Sequence, residues 1–397
     1  MKKILYISGS LGLGHVARDL AITKELRNQF PDIEICWIAS EPALSILIRA
    51  GEKTVSEVNL YNNDNEQAEA VARGPKLSQH IYAFKALGKW FQNAGVVKKI
   101  LKHNNFDLII GDETYEIIIA MVLNLLKLDI PFVIIYDFLG LDKTSKNPLE
   151  CLIGFFFNLI WSLDYKVFTK DRNLAFFIGE LEDIPDKRFG FALPNRRQYA
   201  EKYYNFLGYI LSFNPDELND KKRIRQKLGY GSEPLVVCSI GGTSVGKELL
   251  ELCAKAYPVI KKKIPDLHMV LVCGPRLSSK SLEISKDLDL REYVPDLYEH
   301  LAASDLAVTQ GGGNTTLELL ALKKPFIYFP LVGHTEQENV ISPRLKRYNA
   351  GIRMSYLNTI PEMLAEEIVK NINAEINYKD VPLDGAKNAV KLLSRFL

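Results

Sequence analysis

Short apolar runs recur along the chain and alternate with stretches of helical spacing. Each run is too short for a helix and is rich in the branched and aromatic residues that buried strands favour. The runs lie at residues 4–8, 33–39, 106–110, 132–136, 235–240, 267–273, 306–309 and 326–329. Between them, apolar side chains return every three or four residues, as in 16–30 and 246–263. Strands that alternate with helices predict an α/β fold of doubly wound, Rossmann-like parallel sheets.

The chain is long enough for two such domains. Its 397 residues suit two domains of ordinary size. A strand-like stretch at 206–210 runs into the turn Asn214-Pro215-Asp216, which we interpret as the passage between them. We therefore expect an N-terminal domain over 1–208, a C-terminal domain over 209–375 and a final helical segment over 376–397.

The second domain contains the stretch with the most specific chemistry. After the strand at 306–309 come Gln310, three glycines and a helical pattern at 314–322. Glycines between a strand and a helix let backbone N–H groups approach a ligand, and the start of the helix favours an anion. Glu318 stands in the first turns, where a carboxylate can accept hydrogen bonds from a pair of sugar hydroxyls. The polar loop after 326–329 adds His334, Glu336, Gln337 and Asn339. The pattern indicates a site for a phosphate bonded to a sugar.

This order of residues resembles the donor-sugar signature of the GT-B fold glycosyltransferases. The most similar family is the one that holds the peptidoglycan lipid-I N-acetylglucosaminyltransferase and the diacylglycerol galactosyltransferases. The resemblance covers most of 234–353 and, more faintly, residues 1–50. The matching positions are the glycine turn, Asn314-Thr315-Thr316, Glu318, Pro325, Pro330, Glu336-Gln337 and Asn339. One position departs, because plant relatives carry a phosphate-binding histidine where this chain has Gln310, a neutral amide.

The resemblance implies two domains that face each other across a cleft, with the last helix returning to the N-terminal, acceptor-binding domain. It implies that a sugar is transferred from a UDP-linked nucleotide-sugar to a hydroxyl acceptor. The transfer would invert the anomeric carbon and would use neither a metal nor another cofactor. A lipid-linked acceptor or a cell-envelope glycan fits that family. Glu318 would bind the ribose, and Glu336 and Gln337 the transferred sugar. The diphosphate would be held by Gln310, Gly312, Gly313, Asn314 and Thr315.

Earlier turns of the same domain add further candidate donor contacts. Gly242 and Thr243 lie in a second phosphate-suited turn, after the strand at 235–240. Arg276 follows the strand at 267–273 and either covers the nucleotide or is solvated. By resemblance, Val294 lies where the family pairs its backbone with the uracil edge.

The first strand of the chain ends in a glycine turn that contains Gly12 and Gly14 and leads to His15. Relatives with this fold bring the turn near the donor phosphate and the acceptor. An imidazole at the helix start can act as a general base on the acceptor hydroxyl, and the alternative is a capping or packing histidine. Arg18 is either a phosphate contact or a solvated charge. No acid closes the second strand, which disfavours a dinucleotide site.

Acidic residues follow two other strands of the first domain. Asp112 and Glu113 come after the strand at 106–110, and Asp137 follows 132–136. Acids at the carboxyl ends of parallel strands point into the crevice where such sheets bind ligands. Any of the three could be the catalytic base or orient His15. The alternative for Asp112 and Glu113 is N-capping of a helix predicted at 115–127.

Three other functions are compatible with these motifs. The glycine turn that leads to His15 and Arg18 also resembles the nucleotide-sugar hydrolase of pseudaminic acid biosynthesis, which transfers its sugar to water. Nucleotide-sugar epimerases share the architecture. A nucleotide-sugar sensor without catalysis would need only the donor site.

Charge and cysteine content exclude several classes. With 50 basic and 48 acidic side chains the net charge is +2, which argues against a general nucleic-acid binder. Five cysteines without paired spacing indicate reduced thiols in a cytoplasmic protein. No Asp-x-Asp stands at a strand end as metal-using sugar transferases require, so we expect no metal site.

Two segments raise the question of a membrane surface. Residues 76–102 combine apolar residues at helical spacing with lysines, and residues 151–163 are the most apolar stretch of the chain. Either could rest on the inner face of a membrane beside a lipid-linked acceptor. The alternatives are surface helices with ordinary lysines for the first and a core helix for the second.

Overall fold

The computed structural model describes residues 1–9, 13–72, 74–76, 78–142, 147–168, 172–242, 244–282, 288–372 and 374–397. Within them the chain forms two compact units. The first consists of Met1–Val71, Ser78–Ser212 and Pro382–Leu397, and the second of Ala72–Leu77 and Phe213–Val381. The chain therefore enters the second unit twice, the first time through a short segment that the sequence did not predict.

The first unit is built on a sheet of seven parallel strands. The strands are β1 (Lys3–Ile7), β2 (Glu34–Ile38), β3 (Lys53–Thr54), β4 (Leu108–Asp112), β5 (Phe132–Tyr136), β6 (Asn173–Ile178) and β7 (Tyr204–Gly208). Their order is β3-β2-β1-β4-β5-β6-β7. Every residue of β4 and β5 is buried, as in parallel sheets that helices cover on both faces.

The helices of this unit follow the predicted alternation. They are α1 (Gly14–Gln29), α2 (Ala43–Arg49), α3 (Asp64–Val71), α4 (Gln79–His103), α5 (Tyr115–Val122), α6 (Pro148–Trp161) and α7 (Arg196–Tyr203), with 3-10 turns at Ser56–Leu60, Asp164–Lys166 and Leu181–Asp183. The helix expected at 115–127 stops at Val122, and Asn124 then takes a left-handed φ of 58°. The segment expected to be helical from residue 76 becomes a helix only at Gln79, because Lys76 forms a parallel β-bridge with Val332.

The second unit contains a six-stranded parallel sheet. Its strands are β8 (Leu235–Ser239), β9 (His268–Val272), β10 (Asp289–Arg291), β11 (Leu306–Gln310), β12 (Phe326–Phe329) and β13 (Ile352–Arg353), in the order β10-β9-β8-β11-β12-β13. Its helices are α8 (Lys221–Leu228), α9 (Lys247–Lys261), α10 (Leu297–Ala303), α11 (Gly313–Ala321), α12 (Ser342–Arg347) and α13 (Pro361–Asn371), with 3-10 turns at Pro215–Leu218 and Ser279–Ser281 and a π-helix at Gln337–Ile341.

The last helix, α14 (Gly385–Leu393), belongs to the first unit and is followed by a 3-10 turn at Ser394–Phe396. Its buried side chains Ala389, Val390 and Leu393 share a core with residues of α1 and β7. The Asn388 amide donates to the carbonyl of Leu207 at 2.8 Å. The chain therefore completes its first unit with its last residues.

In each sheet, successive strands are added on one side of the first strand up to one point and on its other side afterwards. In the first unit this point lies between β1 and β4, and in the second between β8 and β11. Ligands of such sheets bind beyond the carboxyl ends of the strands at this point. In the first unit His15 follows β1 and Asp112 ends β4. In the second unit Gly242 follows β8 and Gln310 ends β11. The prediction of an α/β fold with two parallel sheets is confirmed. In the described ranges no helix is both long and apolar enough to cross a membrane.

Candidate active site

His15, the second residue of α1, lies in a cluster of charged side chains. Its Nδ1 is 3.1 Å from Asp112 Oδ2, and its Nε2 is 3.5 Å from Glu113 Oε2. The side chain is only 11% exposed. Residue 9 must be a glycine for the imidazole to fit, because a Cβ at residue 9 would lie 2.9 Å from His15 Cγ. The sequence-predicted residues His15, Asp112 and Glu113 are thus brought together, and Gly12 of the same turn lies outside the described residues.

Arg18 connects this cluster to Asp137. Its Nε donates to Asp112 Oδ2 at 2.8 Å, and its Nη1 donates to Asp137 Oδ2 at 2.7 Å. Its Nη2 lies 2.7 Å from His15 Nδ1. The side chain is 3% exposed, so the interpretation as a solvated charge is wrong. Because two carboxylates already neutralise the guanidinium, the phosphate-contact interpretation has no support in this geometry, and Arg18 holds the acids in place.

Glu113 and Asp137 form a pair with one proton between them. Burial raises the pKa of Glu113 well above its usual value, and the charge of Asp137 raises it further. Burial acts the same way on Asp137, but the Arg18 guanidinium and a hydrogen bond from Glu113 outweigh it and hold the pKa of Asp137 below its usual value. Glu113 is therefore the protonated member. Its other oxygen, Oε1, accepts a hydrogen bond from the Tyr115 hydroxyl at 2.8 Å.

The capping interpretation of Asp112 and Glu113 is wrong. The N-cap of α5 is Thr114, and no side chain caps the helix. Asp112 is the last residue of β4, where its carboxylate meets Arg18. Glu113 adopts a left-handed φ of 49°, a conformation that is uncommon outside glycine and that recurs at functional sites.

The same cluster has donor atoms that could surround a cation. Oxygen and nitrogen atoms of His15, Glu113 and Asp137 lie within 4.8 Å of one another. Arg18 already occupies Asp137 Oδ2, and its positive charge would repel a divalent ion. The arrangement suits shared protons better than a metal ion.

In the second unit, Gln310 ties two turns together. It ends β11 with its side chain buried, and its Nε2 donates to the carbonyl of Val245 at 2.6 Å. Gly246 has a φ of 92°, and a Cβ there would overlap Gln310 Nε2. The amide that was expected to donate to phosphate thus fixes the turn after β8. Gly242 lies in that turn, half-buried, and Thr243 is outside the described residues.

The glycine turn after β11 leads into α11 as the sequence predicted. The helix begins at Gly313 with Gly312 as its N-cap, so Asn314 and Thr315 lie in its first turn, half-buried. No side chain caps the helix start. The Glu336 carboxylate comes close to Gly313. The start of α11 therefore lies beside an acid, and helix starts of this kind are places where backbone N–H groups can bind an anion.

Glu318, in the second turn of α11, is a carboxyl group that lacks a partner. It is half-buried and makes no hydrogen bond or ion pair within the described ranges. Burial raises its pKa to about 8. Its charge also acts on Tyr298, whose ring stacks on Phe213 at 4.2 Å between centroids. An acid kept without a partner in this position suits the hydroxyls of a ligand.

The raised pKa of Glu318 predicts a pH-dependent stability. The unfolded chain loses this proton near the usual pKa, while the folded protein keeps it until about pH 8. Stability from this group is full at low pH and is lost as the pH rises through that window. We expect the Glu318→Gln variant to melt at nearly the same temperature as wild type near pH 5. Near pH 8.5 it should melt at a higher temperature, with a free energy of unfolding roughly 2 kcal/mol above that of wild type after allowance for the partial exposure of Glu318. The control is Glu362→Gln, at an exposed glutamate, for which a pH-independent difference is expected. A constant gap for Glu318→Gln would contradict the assignment.

The loop after β12 contains the remaining predicted residues. Gln337 is buried, and its Oε1 accepts a hydrogen bond from the Leu331 amide at 2.8 Å. His334 is also buried, with Nδ1 at 3.5 Å from the Gln337 amide nitrogen. Asn339 lies half-buried in the π-helix, a distortion that often marks functional sites. His334 and Gln337 therefore shape the loop, and both Gln337 and Glu336 come close to the glycine turn, at Gly311 and Gly313 respectively.

Two predicted residues lie on neighbouring turns of this unit. Arg276 follows β9 and is half-buried, so it is not a fully solvated side chain. Val294, after β10, is buried. Neither position decides the predicted contact with a nucleotide base.

Sequence reasoning missed Tyr115, Gly246 and Lys76. Tyr115 holds Glu113, and Gly246 makes room for Gln310, but neither lies in the motifs that carried the prediction. A glycine at the end of a predicted phosphate turn was the available signal for Gly246. Nothing in the sequence indicated the bridge between Lys76 and Val332, since it joins distant segments.

Comparisons with known proteins bear on the enzyme class and the fold. Residues 236–391 match the glycosyltransferase family 28 C-terminal domain. An uncharacterized glycosyltransferase of Methanosarcina acetivorans is 24% identical over 415 residues, which cover 100% of this chain and 98% of that protein. The UDP-N-acetylglucosamine--N-acetylmuramyl-(pentapeptide) pyrophosphoryl-undecaprenol N-acetylglucosamine transferase of Acetivibrio thermocellus is 24% identical over 373 residues, 91% of this chain and 87% of that protein.

Solved structures show the fold. The glycosyltransferase SnogD from Streptomyces nogalater superposes with a TM-score of 0.57 at 16% identity, with 100% of each chain covered. The resemblance first seen in the donor signature is thereby confirmed. The chain carries a glycosyltransferase family 28 C-terminal domain over residues 236–391 and is a glycosyltransferase with the GT-B fold.

Proposed function

We propose that the protein transfers a sugar from a UDP-linked donor to a hydroxyl acceptor, with inversion and without a metal ion. The observation that carries the proposal is Glu318, a carboxyl without a partner in the second turn of the helix that follows the glycine turn. A carboxylate in that place accepts hydrogen bonds from vicinal ribose hydroxyls, while the start of α11 binds the diphosphate. The donor named for the Acetivibrio thermocellus relative, a UDP-sugar, supports the choice of nucleotide.

The departing diphosphate needs its charge stabilised. The start of α11 and the turn after β8 supply backbone N–H groups, and Gln310 holds the two turns in register through Val245. Such fixed dipoles stabilise developing charge without reorganisation. Glu336, beside the start of α11, would accept a hydroxyl of the transferred sugar.

His15 is the group that we assign as base. The oxygen of the acceptor hydroxyl attacks the anomeric carbon, the bond from that carbon to the diphosphate breaks, and the proton passes to the imidazole. The cluster of Arg18, Asp112, Asp137 and protonated Glu113 carries a net charge of about −1, so the imidazolium that forms brings it to neutrality. Asp112 faces Nδ1 and stabilises the imidazolium as in other acid–histidine pairs.

The acceptor is proposed to be lipid-linked and met at the cytoplasmic face of the membrane. One face of α6 packs into the first unit through Ile153, Phe157 and Trp161. The opposite face leaves Leu149, Leu152, Phe155 and Phe156 between 40% and 65% exposed. The core interpretation of 151–163 thus holds for the buried face, and we assign the lipid contact to the exposed face. An apolar face of this kind suits the surface of a membrane.

Product analysis separates the proposal from its rivals. Thermal-shift measurements across nucleotide-sugars identify the donor, and the reaction is then run with and without a lipid-linked acceptor. We expect sugar transfer only with acceptor and release of UDP. Free sugar without acceptor would indicate a hydrolase, and interconversion of two nucleotide-sugars an epimerase. Donor binding without turnover under any condition would indicate a sensor.

Metal removal tests the mechanism directly. We expect turnover in excess EDTA to stay within about twofold of turnover with Mg²⁺, because helix dipoles and backbone N–H groups neutralise the leaving group. Product is measured by direct detection of the glycosylated acceptor, so that no metal-dependent coupling enzyme interferes. Activity lost in EDTA and restored only by a divalent ion would contradict the proposal and direct attention to His15, Glu113 and Asp137.

A further inference from the structure

A cavity opens in the first unit among α4, α5 and α6. Its volume is about 50 Å³, which exceeds the roughly 10–15 Å³ that one water molecule needs. It is about a third of the roughly 150 Å³ of an apolar cavity that takes up benzene, so there is room for a hydrocarbon segment of about three carbons. Apart from Gln79, its wall consists of aromatic and aliphatic side chains, among them Trp90, Ile118, Phe157 and Trp161. Cavities with such walls stay dry and take up hydrocarbon groups.

The cavity lies next to the catalytic cluster. The Tyr115 ring forms part of its wall, and the Tyr115 hydroxyl donates to Glu113 Oε1 at 2.8 Å. Glu113 in turn has its other oxygen 3.5 Å from His15 Nε2. Phe138, which follows Asp137, also lines the cavity. A molecule in the cavity is therefore one side chain away from the carboxyl that contacts the proposed base.

One polar group in the wall has no partner. Trp161 is 5% exposed, and its indole Nε1 makes no hydrogen bond in the part of the chain that the structure describes. A buried N–H without an acceptor is costly and rare in folded proteins. An oxygen atom of a bound ligand would satisfy it.

We propose that this cavity binds a short segment of the acceptor's hydrocarbon chain, next to an ester or ether oxygen that accepts from Trp161. The proposal rests on the proposed function and adds to it that the chain enters the protein beside Tyr115 rather than staying wholly in the membrane. The apolar wall supplies affinity, the Trp161 N–H fixes the depth of the chain, and Tyr115 separates the chain from Glu113 and His15.

Brominated chains test binding without any need for turnover. The chain has three tryptophans, and Trp90 and Trp161 line the cavity, whereas Trp37 is buried in β2 against Tyr6. Bromine in contact with an indole quenches its fluorescence. We expect 3-bromopropan-1-ol to quench the emission of Trp90 and Trp161 with saturation and to leave the emission of Trp37. Affinity for unbrominated alkanols, measured by competition, should rise roughly fourfold per added CH₂ and then level off once the cavity is full.

Two buried alanines of α4 give a matched pair of variants. Ala83 lines the cavity and Ala94 does not, and each is 6% exposed. We expect Ala83→Leu to weaken binding of the brominated alcohol by about tenfold or more and Ala94→Leu to change it less than twofold. Ile118→Phe, also in the wall, serves if Ala83→Leu does not fold. No quenching in wild type, or equal loss in the Ala83 and Ala94 variants, would overturn the proposal.

The hydrogen bond from Trp161 has a test of its own. In Trp161→Phe, affinity for 1-bromo-2-methoxyethane should fall about fivefold, while affinity for 1-bromobutane, which has the same shape but no oxygen, should stay unchanged. Equal loss for both probes would mean that Trp161 contributes only its shape. Binding of chains by a protein that transfers no sugar to any acceptor would contradict the proposed function and leave the cavity site intact, so the two failures are distinguishable.

Discussion

Replacing His15 with alanine should lower turnover by about 100-fold or more, which is the usual contribution of a general base. The donor affinity and the melting temperature should stay close to wild type. Removal of the imidazole leaves the ion pairs of Arg18 with Asp112 and Asp137 in place. The measurement is the steady-state rate of product formation at saturating donor and acceptor, together with a donor titration.

The control for this prediction is His103→Ala, at the exposed end of α4, which should keep full activity. Turnover of His15→Ala within a few-fold of wild type would reduce His15 to a packing residue. In that case the Glu113–Asp137 pair, whose carboxyl groups share one proton, would become the candidate base.

Replacing Glu318 with alanine should weaken binding of UDP and of the UDP-sugar by roughly 150-fold or more. The estimate follows from losing hydrogen bonds between a carboxylate and two hydroxyls, each worth about 1.5–3 kcal/mol. The fold should remain, because Glu318 has no partner within the described ranges that its removal would leave exposed. Isothermal titration with UDP measures the loss, and Glu366→Ala, at an exposed glutamate of α13, is the control.

A cycle with 2′-deoxy-UDP makes this test specific for the ribose. In wild type, removal of the 2′-hydroxyl should cost affinity, and in Glu318→Ala the same removal should cost almost nothing, because the partner is already absent. If both proteins lose the same factor, Glu318 acts elsewhere than on the ribose. Unchanged UDP affinity in Glu318→Ala would remove the observation on which the proposed function depends.

The two candidate sites differ in how their charges are satisfied. In the first unit Arg18 neutralises Asp112 and Asp137, and the buried charges are paired. In the second unit no described residue offers Glu318 a cation or a donor, and its pKa rises to about 8 as a result of burial. An acid in that state gains from a ligand that supplies hydroxyl donors. The first site therefore suits proton transfer, and the second suits binding.

The sequence by itself determined the alternation of strands and helices and the glycine turn with Glu318 behind it. These features are local, since a strand, a turn and a helix start are specified by neighbouring residues. Within each sheet, the residues at the carboxyl ends of the central strands could also be placed at a common rim, β1 with β4 in the first unit and β8 with β11 in the second, because parallel strands bring those ends together. The donor signature consists of such local features, so the sequence alone was enough to identify it.

Only the tertiary structure decided which polar groups remain available. Arg18 is taken up by Asp112 and Asp137, which are 94 and 119 residues away in sequence, and Gln310 by Val245, 65 residues away. The cavity beside Tyr115 likewise depends on how α4, α5 and α6 pack. A sequence pattern gives the kind of side chain at each position, but hydrogen-bond partners and burial depend on residues that meet only after folding, and those partners set both charge state and availability.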